Sequence, residues 1–348
     1  MSKIKLTNLC VKNNIILPTP LSIHQKIPIT STHRNVILKS RLDIINILNK
    51  KDSRFLLFVG PCSIHNNQDA YEYAEKLVKL ARDVNDRIVI VMRVYFSKPR
   101  TSLGWNGFIF DPDLDCSNNV IKGLTISRQL LYDIVNLGLP TATEFLDPII
   151  PQYLSDLISW TAIGARTSES QIHRQMASGF PMPVGFKNST DGNTQIAINA
   201  VKTSVMPQVF LGINYQGNAS VIHTKGNLNS HIVLRGSKNG TNYHYKSIQN
   251  VGQQLKSIGL IPNIIVDCSH GNSSKNYKKQ LIIFKKIINQ IKIGNHYLVG
   301  AMLESNLNSG NQPFPCNNNI LKKGISITDE CIDWETTKSI IYEAYALI

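Results

Sequence analysis

From Arg54 onward, short apolar runs alternate with longer amphipathic stretches. The runs are Phe55 to Val59, Ile88 to Met92, Thr141 to Thr143, Trp160 to Gly164, Pro183 to Phe186, Ile232 to Leu234, Ile264 to Val266 and Tyr297 to Leu303. They are too short for helices and read as strands buried on both faces, as in a parallel sheet. Between them, helical spacing covers about Ala70 to Arg82, Leu124 to Leu137, a segment starting near Pro151, Glu169 to Ala177, Thr194 to Ser204, Lys246 to Ile258 and Lys275 to Ile293. A last helix runs from Trp334 to the end. Eight strands alternating with eight helices give an α/β fold, a (β/α)8 TIM barrel over residues 54–348. Residues 1–53 form an N-terminal extension with an amphipathic helix from Asn35 to Lys50, and Leu17 to Pro20 breaks structure before it. Residues 207–229 read as a β-hairpin insertion. Two long polar loops, Tyr95 to Val120 and the Asn- and Gly-rich stretch after Glu304 to Lys323, lie outside this count.

Composition adds little to that frame. A hydrophobic content of 42% and a charged content of 17% are those of a globular protein with a full core. No apolar run is long enough to span a bilayer, and the N-terminus has no signal-peptide segment, so a cytoplasmic protein is expected. The six cysteines are scattered without a CxxC pair and are expected to be reduced thiols. The net charge of +14 raises nucleic-acid binding, but the cations are mostly Lys, 26 of 37, spread along the chain with no nucleic-acid motif. No nucleic-acid partner and no membrane partner are expected.

The strand ends change the picture more. In order they reach Cys62, Arg93, Glu144, Arg166, Lys187, Arg235, His270 and Glu304. In a parallel barrel these ends surround one mouth, the catalytic face. Singly, each has a bland reading as a loop-start cation, a buried thiol or a hydrogen-bonded core histidine. Together they sort into two groups. Arg93, Arg166, Lys187 and Arg235 would repel one another unless a ligand with phosphate or carboxylate groups neutralised them. Cys62, His270 and Glu304 offer thiolate, imidazole and carboxylate, a donor set for a divalent metal of borderline softness, although their spacing is no local metal motif. The loop Phe96 to Thr101 adds Lys98 and Arg100 beside the second strand.

Long motifs then carry a resemblance. GPCSIH (60–65), MRVYFSKPRTSLGW (92–105), TATEFLDP (141–148), IGARTSESQIHRQMASG (163–179), PVGFKNSTDG (183–192), HIVLRG (231–236), DCSHGNSSK (267–275), ESN (304–306) and SITDECIDWE (326–335) resemble the bacterial, metal-dependent, feedback-regulated DAHP synthases. The resemblance covers nearly the whole chain in matching order. It implies condensation of phosphoenolpyruvate with erythrose 4-phosphate and water to give 3-deoxy-D-arabino-heptulosonate 7-phosphate and phosphate, the first step toward chorismate and the aromatic amino acids. It implies that Cys62, His270, Glu304 and Asp329 bind one divalent metal ion of Mn, Fe, Co or Zn type. Arg93, Lys98, Arg166, Lys187 and Arg235 would hold phosphoenolpyruvate, with Glu144 nearby. Lys98, Pro99, Arg100 and Thr101 would meet erythrose 4-phosphate, and Lys98 would donate a proton to the new alkoxide.

The resemblance also implies a homodimer or homotetramer and an aromatic amino-acid effector bound around Asp147, Pro151, Gln152, Pro181 and Gly212. A Gly at 212 is similar to the tyrosine-sensitive form and leaves room for a phenol hydroxyl, so Tyr is the expected effector. The chain departs from the family's usual pattern at Ser97, Asn106 and Ser189, none a catalytic group, and at Pro181, which stands where Ser is usual. Two rival readings remain at this point: a metal-free aldolase with Lys187 as Schiff-base nucleophile, and a non-catalytic nucleic-acid-binding protein.

Overall fold

The computed structural model describes residues 6–314 and 321–348. Cys316 and part of the loop reaching to Lys323 lie outside the described residues. Eight parallel strands close a barrel: β1 (Phe55–Gly60), β2 (Ile88–Arg93), β3 (Thr141–Glu144), β4 (Trp160–Ile163), β5 (Val184–Lys187), β8 (Ser230–Leu234), β9 (Ile264–Asp267) and β10 (Leu298–Glu304). Every residue of these strands is buried, which is why they read as unbroken apolar runs rather than as alternations. Alternate residues still divide between two cores. Leu56, Phe58, Val89, Val91, Trp160, Val233, Ile265 and Met302 fill the barrel interior. Phe55, Leu57, Val59, Ile88 and Ile90 face the surrounding helices. The Trp160 indole packs 4.3 Å from Phe58 and donates to Nε2 of the buried His231 at 3.0 Å. Burial pushes the His231 pKa down to about 4, so the ring is a neutral, fixed acceptor.

The helices are α3 (Asn67–Val84), α4 (Val120–Asn136), α5 (Pro151–Leu154), α6 (Gln171–Ser178), α7 (Thr194–Ser204), α8 (Tyr245–Ser257), α9 (His270–Ser273), α10 (Lys279–Lys292) and α11 (Trp334–Leu347). The helix expected over Lys275 to Ile293 is α10, which starts four residues later, at Lys279. Before it, Ser274 and Lys275 have φ of 54° and 64°, which end α9. The segment from Pro151 makes only one turn.

The extension holds α1 (Pro20–Lys26) and α2 (Ser31–Leu48). Leu17 to Pro20 was expected only to break structure. Instead Thr19 caps α1 and Pro20 opens it, a position where proline loses no hydrogen bond. The hairpin is β6 (Val209–Ile213) paired antiparallel with β7 (Ala219–His223). It meets the extension through a Leu21 N–H donating to Tyr215 O at 2.9 Å and a Tyr215 hydroxyl 2.6 Å from His24 Nδ1. Buried Arg128 joins α4 to the extension and to the segment after α5, donating to Ile27 O at 3.2 Å and pairing with Asp156 at 2.7 and 2.8 Å. Among the described residues no helix is long and apolar enough to cross a membrane. Cys10, Cys62, Cys116, Cys268 and Cys331 are all free thiols.

Candidate active site

Arg93, Glu144, Lys187 and Glu304 are the last residues of β2, β3, β5 and β10. Cys62, Arg166, Arg235 and His270 follow β1, β4, β8 and β9 within three residues. The barrel therefore delivers all eight to its carboxyl face.

One cluster has the character of a metal centre. Cys62 Sγ and one carboxylate oxygen each of Glu304 and Asp329 lie within 4.8 Å of one another. His270 Nε2 stands 3.8 Å from Glu304 Oε1 and 3.9 Å from Asp329 Oδ2. The other ring nitrogen, Nδ1, lies 3.0 Å from Asp267 Oδ2 and 2.8 Å from Ser269 Oγ, and that hydroxyl donates to Asp267 Oδ1 at 2.7 Å. The network assigns the proton to Nδ1 and leaves the Nε2 lone pair facing the carboxylates. Glu304 Oε2 is buried with no partner. A divalent cation would satisfy that oxygen, and the S, N and O donors would suit a borderline ion, so these residues fit a metal. Lys98 Nζ reaches Cys62 Sγ at 3.1 Å. Burial pushes the Cys62 thiol up to about 11, with Glu304 adding to it and Lys98 opposing. Burial also works against the Lys98 charge, but Cys62 and Glu304 outweigh it and raise the ammonium above its ordinary value.

The second cluster is cationic. Arg93 is buried, and its Nη2 donates to Glu304 Oε1 at 3.1 Å while its Nε and Nη1 have no partner. Its guanidinium carbon lies 4.1 Å from the centre of the Tyr95 ring. Burial disfavours the Arg93 charge, yet Tyr95, Glu304 and Asp267 outweigh it and keep the group cationic. Buried donors without acceptors are rare and costly, so two on one guanidinium mark where an anion belongs. Lys187 donates to Asp267 Oδ2 at 2.8 Å. The Arg235 backbone is fixed by Asn188 Oδ1 at 2.8 Å. Burial, and further Arg166, lower the Arg235 pKa from the ordinary guanidinium value, against Asp267 and Asp329. Arg166 is exposed and donates to Thr101 Oγ1 at 2.9 Å, which ties the loop after β2 to the end of β4. Glu144 Oε1 is buried and unpartnered, and it fills the space beside Gly164, where a Cβ would stand 2.1 Å from it.

Arg100 is not at this cluster: it donates to Trp105 O at 2.8 Å within its own loop. Sequence reasoning singled out neither Tyr95 nor Asp267. The signals were present, an aromatic two residues after a strand-end Arg and a carboxylate three residues before a ligand-type His. Of the departures from the usual pattern, Ser97 bridges Gly107, Asn106 O accepts from Lys98 N–H at 3.0 Å, and the Ser189 hydroxyl bonds to Asp191 and to Asn193 O. All three shape loops.

The expected effector residues lie beside the barrel. Asp147 Oδ1 accepts from Ile149 and Ile150 N–H at 2.8 and 2.9 Å, and its Oδ2 is buried without a partner. Burial raises its pKa. A Cβ at Gly212 would stand 3.7 Å from Pro148 O, so the hairpin faces the segment carrying Asp147, Pro151 and Gln152. Pro181 is exposed, next to Phe180, whose ring lies 5.3 Å from Phe145.

A parallel barrel whose mouth pairs a candidate metal-binding donor set with a buried cation cluster is the arrangement of an enzyme acting on an anionic substrate. Comparison with known proteins narrows this. Residues 24–341 match the DAHP synthetase I family. The chain is 46% identical over 345 residues to the Tyr-sensitive phospho-2-dehydro-3-deoxyheptonate aldolase of Salmonella typhimurium, covering 99% of this chain and 97% of that one. It is also 46% identical over 326 residues to the Phe-sensitive enzyme of Escherichia coli, covering 94% and 92%. The solved phospho-2-dehydro-3-deoxyheptonate aldolase of Francisella tularensis superposes with a TM-score of 0.95 at 44% identity, over 97% of this chain and 98% of that one. The chain belongs to the DAHP synthetase I family, and its activity is the family's: condensation of phosphoenolpyruvate with erythrose 4-phosphate, the first step of the shikimate pathway.

Proposed function

We propose that Arg93, Lys98, Arg166, Lys187 and Arg235 hold the carboxylate and phosphate of phosphoenolpyruvate at this mouth. The observation that carries this reading is the buried Arg93 guanidinium with two donors unused. Cys62, His270, Glu304 and Asp329 hold one divalent ion, which when bound supplies Lewis acidity toward the aldehyde oxygen. Lys98, Pro99, Arg100 and Thr101 receive erythrose 4-phosphate, with Arg100 turning to its phosphate from Trp105 O. C3 of phosphoenolpyruvate then bonds to the aldehyde carbon. Lys98 gives its proton to the aldehyde oxygen, which becomes a hydroxyl. Positive character grows at C2, and Glu144 with its unpartnered Oε1 supplies a neighbouring negative charge. Water adds at C2 and phosphate leaves. Lys98→Met tests the proton-donor role, since turnover near that of the parent removes it.

The effector is tyrosine. Relatives at equal identity are named Tyr-sensitive and Phe-sensitive, so overall similarity does not choose between them. Gly212 supports tyrosine, since a glycine there is similar to the tyrosine-sensitive form, and its position, where a Cβ would stand 3.7 Å from Pro148 O, puts it beside the segment carrying Asp147. Gly212→Ser is expected to weaken inhibition by tyrosine at least about tenfold, the cost of one poorly accommodated polar group, and to favour phenylalanine. Initial rates with each amino acid read this; unchanged tyrosine inhibition in the variant refutes the assignment. The protein works in the cytoplasm as a homodimer or homotetramer. The exposed outer face of the hairpin, Val209, Leu211 and Val221, supports the assembly, and light scattering measures it.

A further inference from the structure

Asp267 is fully buried at the end of β9, between the two halves of the site. A single oxygen, Oδ2, receives both neighbours: Lys187 Nζ at 2.8 Å and His270 Nδ1 at 3.0 Å. Its other oxygen is held by the Ser269 backbone N–H at 3.0 Å and the Ser269 hydroxyl at 2.7 Å. The carboxylate therefore cannot turn to give each neighbour an oxygen of its own. Its backbone carbonyl is fixed as well, by Asn272 Nδ2 at 2.9 Å. Lys187 and His270 share the charge of one acceptor oxygen.

We propose that Asp267 is a positioning residue that couples metal binding to phosphoenolpyruvate binding. The proposal rests on the assignment above of His270 to the metal and Lys187 to phosphoenolpyruvate. An anion that draws the Lys187 ammonium toward itself leaves more of the Asp267 charge to the His270 N–H, and a carboxylate-bonded imidazole is the more basic ligand through Nε2. In the other direction, a cation at Nε2 makes the Nδ1 proton a stronger donor. Asp267 then shifts toward His270 and releases Lys187 to the anion. Both shifts have the same sign, so each ligand raises the affinity for the other, and linkage requires the two factors to be equal. A direct contact, Arg93 with Glu304 at 3.1 Å, carries a second part of the coupling and does not involve Asp267.

The test is calorimetric titration of chelator-stripped protein with Mn2+ alone, with phosphoenolpyruvate alone, and with each in the presence of the other. The parent chain is expected to show coupling of about tenfold, within the usual range for linked sites. Asp267→Asn keeps the shape but removes the charge, and is expected to bring the factor below about threefold while each ligand still binds. Ser269→Ala, which keeps the buried charge pair and removes one of the two bonds that hold Oδ1, reads the same quantity if Asp267→Asn does not fold. It is expected to lower the factor at least about twofold. A factor equal to the parent's in a folded Asp267→Asn, or in Ser269→Ala where that variant stands in, overturns the role of Asp267. So does a parent in which both ligands bind but independently. A parent that binds neither ligand instead refutes the site assignment, and the coupling with it.

Discussion

Glu304→Gln is expected to lower turnover at least about 10²-fold, because loss of the proposed metal-ligating carboxylate exceeds the 10–100-fold already typical of losing an outer-shell partner. The substitution is nearly isosteric. The amide oxygen can still accept from Arg93 Nη2, and the backbone of residue 304 remains clamped by Gln280, which donates to its carbonyl at 3.1 Å and accepts from its N–H at 2.9 Å. The fold is therefore retained, and thermal unfolding stays close to that of the parent. What disappears is the negative charge and the free lone pair of the buried Oε2. Bound metal, measured after dialysis, falls well below one per chain. A variant that turns over within tenfold of the parent with metal still bound places the donor set elsewhere.

Lys98→Met is expected to lower kcat by about 10²- to 10⁴-fold, the range for removing a positioned general acid, the role proposed for Lys98. The loop survives the change, since the backbone N–H of residue 98 bonds to Asn106 O and Ser97 bridges Gly107. Methionine keeps the apolar stem and loses the ammonium that lies 3.1 Å from Cys62 Sγ and 5.7 Å from the Tyr95 ring centre. Because Arg93, Lys187 and Arg235 remain, KM for phosphoenolpyruvate rises less than kcat falls. A KM effect alone, with kcat preserved, makes Lys98 a binding residue only.

The barrel was legible because its strands are buried on both faces and so stand out as unbroken apolar runs. The same regularity placed Arg93, Glu144, Lys187 and Glu304 at one mouth without knowledge of contacts. Asp329 escaped that reasoning because it follows the last strand, and it entered only through the resemblance. Asp267 was passed over because His270, three residues later, carries the more conspicuous chemistry, and only the structure shows one oxygen serving both His270 and Lys187. The short α9 after β9 was hidden because Ser274 and Lys275, which end it, adopt positive φ without the glycine that usually announces such a stop. Pro18 and Pro20 pointed to irregular chain, yet proline at a first turn with Thr19 as cap is a helix start. Arg100 and Arg166 read alike in sequence, while the structure separates a loop-bound guanidinium from one bridging to Thr101.

The central claim is that this mouth condenses phosphoenolpyruvate with erythrose 4-phosphate through a metal-dependent site. Phosphate release from the two substrates, measured first with chelator and then with added Mn2+, tests it most directly. The account predicts activity abolished by chelator and restored by the ion. Full activity in chelator, together with borohydride trapping of substrate on Lys187, would contradict it and return the Schiff-base aldolase reading.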